Sequence, residues 1–202
     1  VSESLVSVVE LVLQKINLTV RSWQSHLKIG LIQTSNDTIT SKIQKKALAV
    51  QESRLRAYGI EKLFDYRSTH DLVGLESAIS RATKDALDVL MILGASAICD
   101  RHDVIPTAIE EAGGTVIYFG MPVDPGNLLL LGEVGRIKVI GLPGCSRSPA
   151  MNGLDLILDR LMAGFEVSAS DIQAMGVGGL LRGKHSRMDS NRVVSHGLIE
   201  SA

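Results

Sequence analysis

Five consecutive apolar residues, Val89 to Leu93, set between Asp88 and Gly94-Ala95-Ser96, constrain this chain more than any other stretch. A run this short, with no polar alternation, is expected of a strand covered on both faces. It asks for helices on either side of a sheet, and the flanking sequence supplies them. Leu27 to Ser35, LKIGLIQTS, reads as the first strand of a parallel sheet and ends at Thr34, Ser35 and Asn36. Residues 38–58 space Ile39, Ile43, Ala47, Val50, Leu55 and Ala57 among Lys, Gln and Arg, and Gly59 stops the helix. A short strand is expected at 62–66. Asp71 is placed to cap a helix with Leu72, Leu75, Ile79 and Ala82 on its apolar face. Beyond Val89–Leu93, a helix over 104–112 with Pro106 in its first turn closes at Gly113-Gly114, and TVIYFG follows as another strand. The alternation predicts an α/β fold, a three-layer α/β/α arrangement with a mostly parallel sheet.

Gly120 to Pro149, GMPVDPGNLLLLGEVGRIKVIGLPGCSRSP, breaks that rhythm. Two apolar runs, Leu128 to Leu131 and Ile137 to Leu142, are each tied to a Pro-Gly pair, Pro125-Gly126 and Pro143-Gly144, with Gly132 and Gly135 bracketing the turn between them. The chain then passes Cys145, Ser146, Arg147 and Ser148 before a helical pattern with Leu154, Ile157, Leu158 and Leu161 on one face, ended by Gly164. A buried strand, a Gly loop with hydroxyls and one Arg, and a helix start are the parts from which α/β proteins build an anion site. The same parts also make an ordinary hairpin and strand-to-helix loop. Thr34 and Ser35 lie at a strand C-terminus, where open α/β sheets bind ligands. In the loop after Val89–Leu93, Asp100 and Asp103 stand beside Arg101 and His102, and Asp103 reads equally as a helix N-cap.

A hydrophobic fraction of 45% with aromatics at 3% predicts a well-filled aliphatic core. A formal net charge of -1 gives no electrostatic case for nucleic acid or an anionic membrane. No apolar run reaches the roughly 20 residues of a membrane-spanning helix. The five His lack paired spacing, so no metal cluster is expected, and Cys99 and Cys145 fit a reducing, cytoplasmic setting. Both cysteines fall in loops expected to face one cleft, where they read as incidental thiols or as groups able to meet a soft metal or its sulfur ligands. Leu5, Val8, Val9, Val12 and Ile16 suggest an amphipathic helix ahead of the domain. Residues 1–27 are read as a helix and linker ending a preceding region, 28–166 as the domain, and 167–202 as a short helix capped by Ser168 or Ser170 plus a tail holding His185 and His196. With Val1 as its first residue, the chain is expected to be part of a longer protein.

Four segments together carry a family resemblance: GASAICDRHDVIP, FGMPVDPGNLLLLG, GLPGCSRSPAMNG and MGVGGLL. The core from about Leu27 to Gly164 resembles the molybdopterin-binding domain shared by molybdopterin adenylyltransferases, molybdopterin molybdotransferases and the competence-damage-inducible proteins. It is most similar to the molybdopterin-binding half of bacterial fusions with a molybdenum-cofactor nucleotidyltransferase. In the family's GGTG-type loop, Gly94, Ser96 and Asp103 match, and Ala95 and Ala97 depart. The PGKP-type element stands here as Pro125, Gly126 and Asn127, a broken form of that pattern. In GLPGNPVS, Gly141, Pro143, Gly144 and Ser148 match, while Cys145 and Ser146 replace Asn and Pro.

The resemblance implies a molybdopterin-binding site formed by Thr34, Ser35, Gly94, Ala95, Ser96, Pro125, Gly126, Pro143, Gly144, Cys145, Ser146, Arg147 and Ser148. It also implies Asp103, with Asp100 beside it, as the carboxylates that assist transfer with Mg²⁺. The activity implied is transferase chemistry of the molybdotransferase or adenylyltransferase kind in molybdenum cofactor biosynthesis, in a homo-oligomer, trimer or dimer, serving a nucleotidyltransferase domain or partner. The altered loops rank pterin binding above turnover. Two alternatives stand beside this reading: a ligand-free oligomerisation domain, and a Mg-dependent nucleotide hydrolase.

Overall fold

The computed structural model describes residues 21–176. The helix expected over 5–16 and the tail from 177 onward, with His185 and His196, lie outside the described residues. Six strands form one sheet: β1 (Ile29–Ser35), β2 (Leu63–Thr69), β3 (Val89–Leu93), β4 (Thr115–Phe119), β5 (Leu130–Val134) and β6 (Ile137–Leu142). The helices are α1 (Ser41–Arg56), α2 (Leu72–Lys84), α3 (Val104–Glu111), α4 (Gly153–Met162) and α5 (Ala169–Ala174), with a 3₁₀ turn at Gly144–Arg147. The strand order is β2-β1-β3-β6-β5-β4. Neighbours β2/β1, β1/β3 and β3/β6 are parallel, and β5 runs antiparallel to both β6 and β4. Every strand except β5 therefore points the same way.

The fully apolar β3 sits inside the sheet with all of its residues buried. Because successive side chains point to opposite faces, β1 and β3 feed two cores. Leu31, Met91 and Ile140 pack beneath Ala47, Leu55, Ile157, Leu158 and Ile172 of α1, α4 and α5. Ile32, Ile92 and Val139 pack on the other face beneath Leu75, Ile79, Ile105 and Ile109 of α2 and α3. The three-layer α/β/α expectation matches this arrangement.

Several local expectations shift. The strand expected at 62–66 extends to Thr69 and forms the sheet edge, with no buried residue in it. Gly132 lies inside β5, not at the turn, where a Cβ would come 2.8 Å from the Thr115 carbonyl oxygen across an irregular β4–β5 register. The hairpin turns instead at Gly135-Arg136. On α1 the buried face holds Ala47, Gln51, Arg54 and Leu55, while Ile43 is exposed. The polar Gln51 and Arg54 take apolar-face positions because they have partners there, described below. The caps follow the sequence: Asp71 Oδ1 accepts from the Gly74 N–H at 2.8 Å, and Ser168 caps α5 in a capping box with Asp171. Leu72, expected on the apolar face of α2, is exposed beside Val73.

Candidate functional site

Strands that share a direction bring their carboxyl ends, and the loops after them, to one end of the sheet. Thr34 and Ser35 close β1, His70 follows β2, Gly94-Ala95-Ser96 follows β3, and Pro143 to Ser148 follows β6. Pro125-Gly126 lies in the connection from β4 to β5, at the same end. β1 lies between β2 and β3, so the chain leaves β1 to one side and returns on the other. That reversal is the switch point at which open α/β sheets form a crevice.

Thr34 is almost fully buried, and its hydroxyl joins two loops. Its Oγ1 accepts from the Ala95 N–H at 2.7 Å and lies 2.8 Å from His70 Nδ1. His70 Nε2 in turn lies 2.7 Å from Ser96 Oγ. Burial holds His70 below the ordinary histidine value, while the negative charges of Asp103 and Asp71 pull it back up. Arg147 crosses from the β6 loop and donates to the Gly94 carbonyl oxygen, so the two principal loops are physically joined. Burial lowers the Arg147 guanidinium from its ordinary value.

The β6 loop is held from behind by Arg54. Its Nε pairs with Asp155 Oδ1 at 2.6 Å, and its terminal nitrogens donate to the carbonyl oxygens of Ser146, Ser148 and Ala150 and to Gln51 Oε1. Gln51 Nε2 adds a second bond to the Ser146 carbonyl at 2.8 Å. The other Asp155 oxygen accepts from the Asn152 N–H in the capping box of α4. Arg54 and Asp155 are 2% and 4% exposed at their side chains, which makes this a dry, multiply satisfied ion pair. Ser146 is fully buried, and its Oγ has no hydrogen-bond partner among the described residues.

The loop glycines separate into two kinds. At Gly94 a Cβ would come 2.5 Å from the Ser96 carbonyl oxygen and 2.9 Å from Ile105 Cδ1. At Gly126, whose φ is 127°, it would collide with the backbone of Gly153, and the Pro125 carbonyl oxygen accepts from the Gly153 N–H at 2.9 Å. Both positions need glycine for internal packing. At Gly144, which is exposed, the nearest atom to a Cβ is Arg147 Nη1 at 3.8 Å, so no contact among the described residues requires glycine there.

Asp103 occupies the N-cap position of α3 but makes no side-chain cap bond. Its Oδ2 accepts from the backbone N–H groups of Cys99 and Asp100 at 2.6 and 3.1 Å, and Asp100 Oδ1 accepts from His102 N–H at 2.7 Å. Both carboxylates thus stabilise the turn of their own loop. For Mg²⁺ this donor set fits poorly, because one oxygen of each carboxylate is already taken by N–H groups and a single oxygen apiece is left, and no reaction step is assigned to the ion. Among the described residues no group of three His, Cys, Asp or Glu is placed to hold a metal. Cys99 is exposed, and Cys145 is partly buried with its thiol pushed up by desolvation. A hollow lined by Leu27, Val89, Lys138, Leu161 and Phe165 lies at the opposite end of the strands, away from these groups.

Sequence reasoning missed His70, Gln51 and Arg54. His70 follows an edge strand read as shorter than it is, among Ser68, Thr69 and Asp71 that give no periodic signal. Gln51 and Arg54 carry polar labels at positions where only a partner distant in sequence reveals burial.

No family model matches the chain, and no curated protein matches it. Among solved structures it is similar to a molybdopterin biosynthesis MoeA protein from Pyrococcus horikosii, with a TM-score of 0.43 and 20% identity over 58% of this chain. The chain spans 30% of that protein's length. It is also similar to a molybdenum cofactor biosynthesis protein B, with a TM-score of 0.46 and 20% identity over 67% of this chain and 91% of that one.

Proposed function

We propose that this domain binds molybdopterin in the crevice between the Gly94 and Gly144 loops and acts in molybdenum cofactor biosynthesis or maturation. The observation that carries this reading is Gly144. It is a glycine at the mouth of the crevice that no contact among the described residues demands, and it stands beside the Arg147 guanidinium. A missing Cβ with open space around it, next to a cation, suits the close approach of an anionic group such as the terminal phosphate of the pterin. The four motif segments that resemble the molybdopterin-binding family support the same ligand, since three of them run to this end of the sheet.

Binding is favoured over turnover by the carboxylates. Asp103 and Asp100 each give one oxygen to backbone N–H groups of their own loop, an arrangement that shapes the crevice wall and leaves a single oxygen apiece for transfer chemistry. The domain then presents the pterin to a nucleotidyltransferase domain or partner, in a homo-oligomer. Titration of the full chain with molybdopterin, followed by pterin fluorescence, tests this. Gly144→Val is expected to keep the fold and weaken binding by about tenfold or more, the scale of one lost close approach. Absence of saturable binding by the wild type, or unchanged affinity in the variant, overturns the reading.

A further inference from the structure

We infer that His70 is a positioning residue of this crevice: as the neutral imidazole protonated on Nε2, it fixes Thr34 as the acceptor for the Ala95 N–H and leaves the Ser96 hydroxyl proton for an acceptor oxygen on a ligand. The identity of that ligand rests on the molybdopterin reading; the positioning does not. The assignment follows from counting donors. Thr34 Oγ1 already accepts from Ala95 N–H, and its own proton needs an acceptor in a nearly solvent-free position. His70 Nδ1, at 2.8 Å, provides one only if it carries no proton. Nε2 is then protonated and donates to Ser96 Oγ at 2.7 Å, and the exposed Ser96 hydroxyl is free to donate outward.

The other tautomer would have Nδ1 and Ala95 both donate to Thr34, leaving the Thr34 proton without an acceptor in this cluster. A doubly protonated ring has the same defect. The charged groups around the ring are Asp71 at the cap of α2 and Asp103 ahead of α3, with Arg147 reaching the Gly94 carbonyl behind it. The two carboxylates favour the imidazolium and burial opposes it, and burial is the larger effect. His70 thus links the ends of β1, β2 and β3 through one ring and sets the direction of two donors at the switch point.

Nitrogen-15 NMR of the histidine rings of the full chain reads the tautomer directly. The expected result is an Nε2-protonated His70 at neutral pH, and an Nδ1-protonated or freely titrating ring overturns the inference. Hydrogen exchange at the Ala95 amide supplies a second reading. His70→Ala and Thr34→Val are expected to speed it by about tenfold, the weight of one hydrogen bond, with the Met91 amide of β3 unchanged and Ser96→Ala leaving Ala95 as slow as in the wild type. Unchanged Ala95 exchange in His70→Ala also overturns the inference. In molybdopterin titrations, Ser96→Ala is expected to weaken binding by a similar factor. If the wild-type chain binds no molybdopterin, the proposed function fails, and the tautomer and exchange measurements decide the role of His70 alone.

Discussion

Arg54 is the residue on which the crevice depends most. It is buried, paired with Asp155, and shares its remaining donors among three loop carbonyls and Gln51, so its removal strands a buried carboxylate together with several carbonyl oxygens. Arg54→Met is expected to destabilise the fold by about 3–5 kcal/mol in urea titrations, and adding Asp155→Leu to recover part of that loss, because the cost lies mainly in the uncompensated charge. The pH dependence of stability has a definite sign at His70. The group is held below its ordinary value of 6.5 in the fold, so the unfolded chain takes up its proton first as pH falls. Stability from this group is complete above about 6.5, is lost as pH drops toward the lowered folded value, and then levels off. His70→Gln is expected to remove that part of the decline, measured as the wild-type minus variant difference across the pH range. Arg54 and His70 were both hidden in the sequence for one reason. A polar residue is labelled by its own chemistry, while its burial is decided by partners far along the chain, at Asp155 for one and at Thr34 and Ser96 for the other.

Among the connecting elements, Pro125-Gly126 and Pro143-Gly144 look alike in sequence and serve different ends. Gly126 seats the first turn of α4 against the β4–β5 connection, with positive φ and no space for a Cβ. Gly144 faces outward with space to spare. Gly126→Ala is expected to cost about 2 kcal/mol or more, and Gly144→Ala less than about 0.5 kcal/mol, in thermal unfolding of the full chain. Equal effects at the two sites would contradict the packing described. The Pro-Gly punctuation was legible, and so were the caps at Asp71 and Ser168, because turns and caps are written in local residue types. Which glycine is needed for packing and which faces open space was not, since that distinction lies in what stands opposite each missing side chain. The antiparallel β5 was legible as half of a hairpin, but its bounds moved because Gly132, read as a turn residue, is the point where a neighbouring carbonyl comes close.

For the molecule as a whole, the alternation of apolar runs and helical patterns was enough to give the α/β class and the layering, because β3 admits no polar face. Burial should be reflected in dynamics. Amides of β3 and the centre of β1 are expected to exchange slowest, and those of the half-exposed edge strand β2 markedly faster, in hydrogen-exchange mass spectrometry. Comparable protection of β2 would mean that its edge is covered by something outside residues 21–176. The gathering of the predicted loops at one end of the sheet was implicit in the parallel reading, whereas the bridge from Arg147 to Gly94 that joins them was not.

The pairing of Arg54 with Asp155 also has a consequence for the order of synthesis. The two residues lie 101 positions apart, and the β6 loop between them takes its shape from the pair. A growing chain displays the Gly94 loop, the hairpin and the Gly144 loop well before Asp155 exists. Until then Arg54 has no counter-charge, and the loop is held without the carboxylate that fixes Arg54 behind it. The crevice is therefore among the last features to be completed, and a chain released before α4 is made carries every wall of it without the carboxylate that fixes Arg54 behind them.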